Sequence, residues 1–108
     1  MPAIKLGTLE ESALIAVLAL TEDKSYGLKI LEKLSEMTGK NQSVGSVYTT
    51  LSRLQEKGFV ESWVGEPTNE RGGRRKRLYR VTSSGRSALD QQEQIRLASQ
   101  AAYARVKG

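Results

Sequence analysis

The sequence predicts a mainly helical fold carrying one small antiparallel β-hairpin, in the order helix, helix, helix, strand, strand, helix. Three observations point to it. Apolar residues recur at helical spacing in three segments between Thr8 and Lys57, each bounded by a capping residue or a glycine. Two alternating runs, "FVESWV" and "RKRLYRV", flank a stretch rich in turn-forming Pro, Asn and Gly. A last segment, Arg86 to Val106, keeps helical spacing with no breaker inside it.

Composition sets the frame. The chain has 108 residues, 38% hydrophobic and 27% charged, which suits one small folded domain rather than a disordered segment. Its longest apolar run, "ALIAVLAL" from Ala13 to Leu20, is far short of the roughly 20 residues needed to span a bilayer. The start, "MPAIKLGTLEE", lacks a basic segment followed by an apolar one, so no secretory signal is expected. Cysteine is absent, which removes disulfides and thiolate metal sites and fits the cytoplasm. Histidine is absent too, and with it the commonest general base and metal ligand. The chain therefore does not read as an enzyme, and no cofactor or metal is expected. Carboxylates such as Glu10, Glu11 and Glu61 are accounted for by helix capping and an exposed strand face. "GGRRK" lacks the spacing of a phosphate-binding loop.

The first helix begins at "TLEE", with Thr8 as N-cap and Glu11 completing a capping box. From Ala13 to Leu20 every residue is apolar. A helix apolar on all sides must be covered on all sides, so part of it is expected to face another subunit. The second helix starts near Ser25 and buries Leu28, Leu31, Leu34 and Met37, with Lys29, Glu32, Lys33 and Glu36 in water. Gly39 ends it.

The third helix is expected over Val44 to Lys57, capped by Ser43 and stopped by Gly58. Val44, Val47, Tyr48, Leu51 and Leu54 share one face. The opposite face reads Gly45, Ser46, Thr49, Thr50, Ser52 and Arg53. Small hydroxylated residues lower helix propensity where Glu, Lys or Gln would serve an ordinary wet face. They suit close approach to a phosphate backbone and base edges in a major groove.

Phe59 to Val64 reads as a strand and Arg75 to Val81 as its returning partner, with Tyr79 and Val81 on one face and Leu78 and Arg80 on the other. Trp63 is read as core or interface rather than a base-stacking platform. The last helix is capped by Thr82 or Ser83. Its apolar residues are too sparse for a core element and too extended for this small body to cover, so it reads as an arm on a partner chain.

Net charge is +5, and its placement is uneven. Residues 71–80, "RGGRRKRLYR", carry 6 cationic side chains and no acid, whereas residues 1–70 are net acidic. A focused positive patch on a hairpin tip is the footprint of a polyphosphate binder. Two helices joined by a short turn, a polar-faced third and a basic hairpin make a winged helix-turn-helix. That domain is expected over residues 1–82, with a C-terminal dimerisation helix over 83–108.

Three stretches in order, "SYGLKILEKLSEMTG", "SVGSVYTTLSRLQEKGFVES" and "GGRRKRLYRVTSSGRSAL", resemble the PadR family of bacterial transcriptional regulators, over roughly Leu6 to Leu89. The resemblance implies a homodimeric, sequence-specific repressor of double-stranded DNA with an inverted-repeat operator. Recognition-helix contacts would be Ser43, Ser46, Tyr48, Thr49 and Arg53. Wing contacts would be Arg71, Gly72, Gly73, Arg74, Arg75 and Lys76. The dimer interface would take Leu14, Val17 and Leu18 of the first helix with Leu89, Ile95, Leu97, Ala98, Ala102 and Val106 of the last. Two features depart from the family pattern. Thr49 stands where many members have proline, and Tyr103 is the one aromatic residue of the last helix, so the sensing of flat hydrophobic compounds seen in some short members is not implied. No small-molecule effector is legible in the sequence. A winged-helix module that binds RNA or a protein partner is the alternative reading.

Overall fold

The computed structural model describes residues 6–66 and 75–108. The expected wing residues Arg71, Gly72, Gly73 and Arg74 lie outside them. Four α-helices and one hairpin follow in the expected order: α1 (Thr8–Ala19), a 3-10 turn (Glu22–Lys24), α2 (Gly27–Thr38), α3 (Val44–Glu56), β1 (Val60–Val64), β2 (Arg77–Val81) and α4 (Ser83–Lys107).

Helices α1, α2 and α3 close on one core. Leu14 of α1, Ile30 and Leu34 of α2, and Leu51 and Leu54 of α3 are fully buried there. The inward face of β2, Tyr79 and Val81, joins the same cluster, as do Phe59, Val60 and Ala88. The strands pair antiparallel in the register Val60↔Val81, Glu61↔Arg80, Ser62↔Tyr79, Trp63↔Leu78 and Val64↔Arg77. The expected alternation of β2 therefore holds, with Tyr79 and Val81 inward and Arg80 exposed. Trp63 is half-buried, and the Arg80 guanidinium lies 5.1 Å from its ring.

Several local expectations need correction. The N-cap of α1 is Gly7, not Thr8, because Glu10 rather than Glu11 reaches back, its Oε1 accepting the Gly7 N–H at 2.8 Å. Glu11 instead pairs with Arg96 of α4. Ser25 does not cap α2. It is buried, its hydroxyl donates to Val17 O, and its carbonyl accepts the Tyr79 N–H at 2.9 Å, so the N-cap moves to Tyr26. The buried stripe of α2 is Gly27, Ile30 and Leu34 with Leu31 partly covered. Leu28 and Met37 are exposed. A close approach at Gly27 turns that face inward: a Cβ there would lie 2.2 Å from the Tyr48 hydroxyl.

The first helix is less exposed than its sequence suggests. Leu14 and Val17, expected at a dimer interface, lie in the domain's own core, whereas Ile15 and Leu18 face outward. Neighbouring elements cover most of the apolar part of this helix and leave a narrow stripe.

The junction of α3, β1 and α4 is tightly knit. The Thr82 hydroxyl donates to Gly58 O at 2.6 Å and accepts the Gly85 N–H at 3.1 Å, so one side chain ties the end of α3 to the start of α4. Gly58 has φ +78°, a left-handed turn that suits glycine. Gly85 is needed for space: a Cβ would lie 2.3 Å from Phe59 O. Gly85→Ala is expected to lower stability by roughly 1–3 kcal/mol, the usual range for overpacking, measurable as a shifted urea midpoint at unchanged slope.

Candidate nucleic-acid interface

Helix α3 separates into two faces. Val47, Leu51 and Leu54 are buried, and so is Thr50, whose hydroxyl donates to Ser46 O at 2.8 Å. Thr50 therefore leaves the polar face expected for it, since a threonine that bonds its own preceding turn can be buried without an orphaned hydroxyl. Val44 and Tyr48 move the other way, to exposed positions. The outward surface is Gly45, Thr49, Ser52 and Arg53, with Ser46 at its half-buried edge. Ser43 caps the helix, its Oγ accepting the Ser46 N–H at 3.1 Å. The five expected contact residues Ser43, Ser46, Tyr48, Thr49 and Arg53 thus all reach the surface to some degree.

The hydroxyls of Ser46 and Thr49 and the guanidinium of Arg53 make no hydrogen bond or ion pair among the described residues. They line a shallow groove whose other wall is the start of α1, Gly7 to Glu10. Both walls are chemically suited to an anion. One offers short hydroxyls and a cation, the other the unpaired first-turn amides of a helix. The one acid in the groove, Glu10, is neutralised by Lys57 at 2.7 Å.

The hairpin stands beside this surface. The Ser62 hydroxyl of β1 donates to Gln55 Oε1 of α3 at 2.9 Å and accepts from Arg77 Nη1 of β2 at 3.0 Å. On the other edge of β2, Tyr26 forms a single antiparallel bridge with Leu78. Of the expected wing contacts, Arg75 is exposed and Lys76 is half-buried, its ammonium 4.0 Å from the centroid of the Tyr26 ring. Arg77 bonds Ser62 within the hairpin, and Arg80 pairs with Glu61 of β1 and with Glu22 of the 3-10 turn.

The residues that sequence reasoning missed are those that place the surface rather than form it. Gln55, Ser62, Glu10 and Lys57 give no local signal, because each pair joins different elements. Tyr26 and Gly27 were visible only as the opening of α2.

Helix α4 extends from this body. Its first turns pack on the core through Gly85, Ala88 and the half-buried Leu89. Beyond them Ile95, Leu97, Ala98, Ala102, Tyr103 and Val106 are exposed. Arg96 pairs with both Glu11 and Glu93, which anchors the arm against the start of α1. No helix among the described residues is long and apolar enough to cross a membrane.

The Glu10–Lys57 pair gives a pH-dependent expectation. Burial alone would raise the Glu10 carboxyl, but the Lys57 ammonium, the Gly7 N–H and the nearby Arg53 charge outweigh it and hold the group below its ordinary value of 4.5. A lowered carboxylate contributes stability above its unfolded pKa and loses it as pH falls through the folded one. Glu10→Gln should therefore cost about 1 kcal/mol at neutral pH. Urea titrations should show the gap to the unaltered protein narrowing below pH 4.5.

The model of the transcriptional regulator PadR-like family matches residues 14–91. Among solved structures, a PadR family transcription regulator from hypervirulent Clostridium difficile R20291 superposes with a TM-score of 0.72 at 19% identity, covering 94% of this chain and 100% of that one. A PadR-like transcriptional regulator from Bacillus cereus does so at 0.72 and 22%, covering 94% of each chain. A transcriptional regulator from Clostridium thermocellum gives 0.68 at 20%, covering 93% of this chain and 97% of that one. No curated protein matches in sequence.

Proposed function

The chain belongs to the transcriptional regulator PadR-like family, and on that premise we propose that it is a repressor that binds an inverted-repeat operator in double-stranded DNA as a homodimer. The observation that carries this reading is the outward face of α3. Ser46, Thr49 and Arg53 stand together there beside the first turn of α1, their side chains in no hydrogen bond or ion pair among the described residues. An exposed helix face of small hydroxylated side chains and one cation is poorly explained by solvent and well explained by a groove of DNA. The short side chains allow deep entry, the hydroxyls meet phosphates and bases, and an arginine reads guanine edges.

In this reading residues 1–82 form the reading head and 83–108 the dimerisation arm. The wing, through Arg71, Gly72, Gly73, Arg74, Arg75 and Lys76, adds charge and register over the flanking backbone. The arm pairs the exposed apolar residues of α4, Ile95, Leu97, Ala98, Ala102 and Val106, with the outward stripe of α1, Ile15 and Leu18. Leu14 and Val17 support that stripe from within. A two-fold dimer would set two α3 helices in successive major grooves, about 34 Å apart, which is what an inverted repeat records.

Selection of bound fragments from random duplex DNA tests the reading directly. The expected product is an inverted repeat with half-sites about one helical turn apart; recovery of no preferred sequence would sink it. Thr49→Ala with Arg53→Ala should erode preference for the selected site by roughly 1–3 kcal/mol for each base edge no longer read, while leaving random DNA bound about as well. Arg74→Ala with Arg75→Ala should flatten the dependence of log affinity on log salt by about 0.9 for each phosphate no longer neutralised. Leu97→Asp should give monomers by sedimentation equilibrium without loss of helical signal.

A further inference from the structure

The dipeptide Tyr26–Gly27 sits where three parts of the proposed interface meet. Tyr26 is the N-cap of α2, yet its side chain makes no capping hydrogen bond. Its backbone is extended, with φ −114° and ψ 163°, and bridges to Leu78 on the free edge of β2. One residue earlier, Ser25 O accepts the Tyr79 N–H at 2.9 Å. Ser25 and Tyr26 thus act as a short third strand that holds the wing's return strand from outside. The Tyr26 ring lies under the Lys76 ammonium at 4.0 Å, and Lys76 is the residue just before β2 begins.

The next residue faces the other way. A Cβ on Gly27 would fall 2.2 Å from the hydroxyl oxygen of Tyr48 and 2.5 Å from its Cζ. The phenol of Tyr48, on α3, therefore occupies the space that glycine leaves open. Two consecutive residues touch the reading helix on one side and the base of the wing on the other.

We propose that Tyr26 is a positioning residue for DNA binding: its ring and its bridge to Leu78 hold the base of the wing, at Lys76, in fixed relation to the reading helix through Gly27 and Tyr48. Tyr26 need not touch DNA. It acts by holding Lys76 and the return strand before DNA arrives, so that this ordering is not charged against binding. The proposal rests on the DNA-binding reading for its consequence, but the geometry it asserts can be measured without DNA.

The experiment compares the full chain with Tyr26→Phe, which keeps the ring, and Tyr26→Leu, which removes it. Amide hydrogen exchange in the free protein reads the Tyr79 N–H, the group bonded to Ser25 O. Faster exchange in Tyr26→Leu, with Tyr26→Phe like the unaltered protein, is expected; unchanged exchange in Tyr26→Leu overturns the positioning role. Affinity for the selected duplex is then measured well below each variant's unfolding temperature. Tyr26→Leu should bind roughly two- to fivefold more weakly, the fold-change of an ordinary cation–π pair, and Tyr26→Phe should restore binding. The same weakening should vanish in a Lys76→Met background, since the two residues act through one contact. A Tyr26→Leu protein that only melts earlier and binds equally well would make Tyr26 purely structural and overturn the proposal. Failure of the unaltered protein to bind duplex DNA would instead count against the functional reading, while the exchange measurement still decides the geometry.

Discussion

Val47, Leu51 and Leu54 of α3 leave water against Leu14 of α1 and Ile30 and Leu34 of α2, in one cluster that also takes in the inner face of the hairpin. At about 1.5–3 kcal/mol for each large side chain fully buried, this contact far outweighs the weak helix propensity of a segment carrying Gly45, Ser46, Thr49 and Ser52. The helix forms because one face is buried, and burying that face leaves the other with no choice of direction. Whatever Ser46, Thr49 and Arg53 meet outside, they meet it because the leucines behind them are fixed.

A rigid helix alone would not set the geometry of a two-part surface. The hairpin is tied down on both edges, to α3 through Gln55, Ser62 and Arg77, and to the start of α2 through Ser25 and Tyr26. Thr82 and Gly85 then lock the beginning of α4 to the turn that ends α3. The direction in which α4 leaves the body is thereby tied to that of α3. In the proposed dimer, that coupling would set the spacing of the two α3 helices. The Arg96–Glu11 pair adds a second fixed point along the arm, at the N-terminal end of α1.

Most of the architecture was legible because it rests on local patterns. The Ser43 cap, the glycine at 58, the alternation of "RLYRV" and the Thr82 cap each signal their own element, and each appears where the pattern puts it. The errors are rotations and one-residue shifts. Leu28 and Ile30 are both apolar, and periodicity cannot say which of two adjacent stripes faces the core. Thr50 and Tyr48 exchanged roles on α3 because a threonine can satisfy its hydroxyl on its own helix, while a tyrosine at a helix edge can lay its ring against a neighbouring glycine. The apolar run Ala13 to Leu20 looks uncoverable in isolation and so points Leu14 and Val17 to a partner, yet four neighbouring elements, α2, α3, β2 and α4, all pack on the helix.

The sequence by itself determined the order and kind of the elements, the segregation of positive charge to residues 71–80, and the small, hydroxylated character of one side of α3. These are properties of neighbours in the chain, and a few residues of context suffice to express them. Tertiary structure alone decided which side of α2 is inside, that Glu10 pairs with Lys57 and Glu11 with Arg96, and that Tyr26 and Gly27 stand between α3 and the start of β2. Each of these is a meeting of residues far apart in sequence, settled by which rotation of the helices fills the core. Packing energy depends on shape across elements, and no single stretch of sequence contains it.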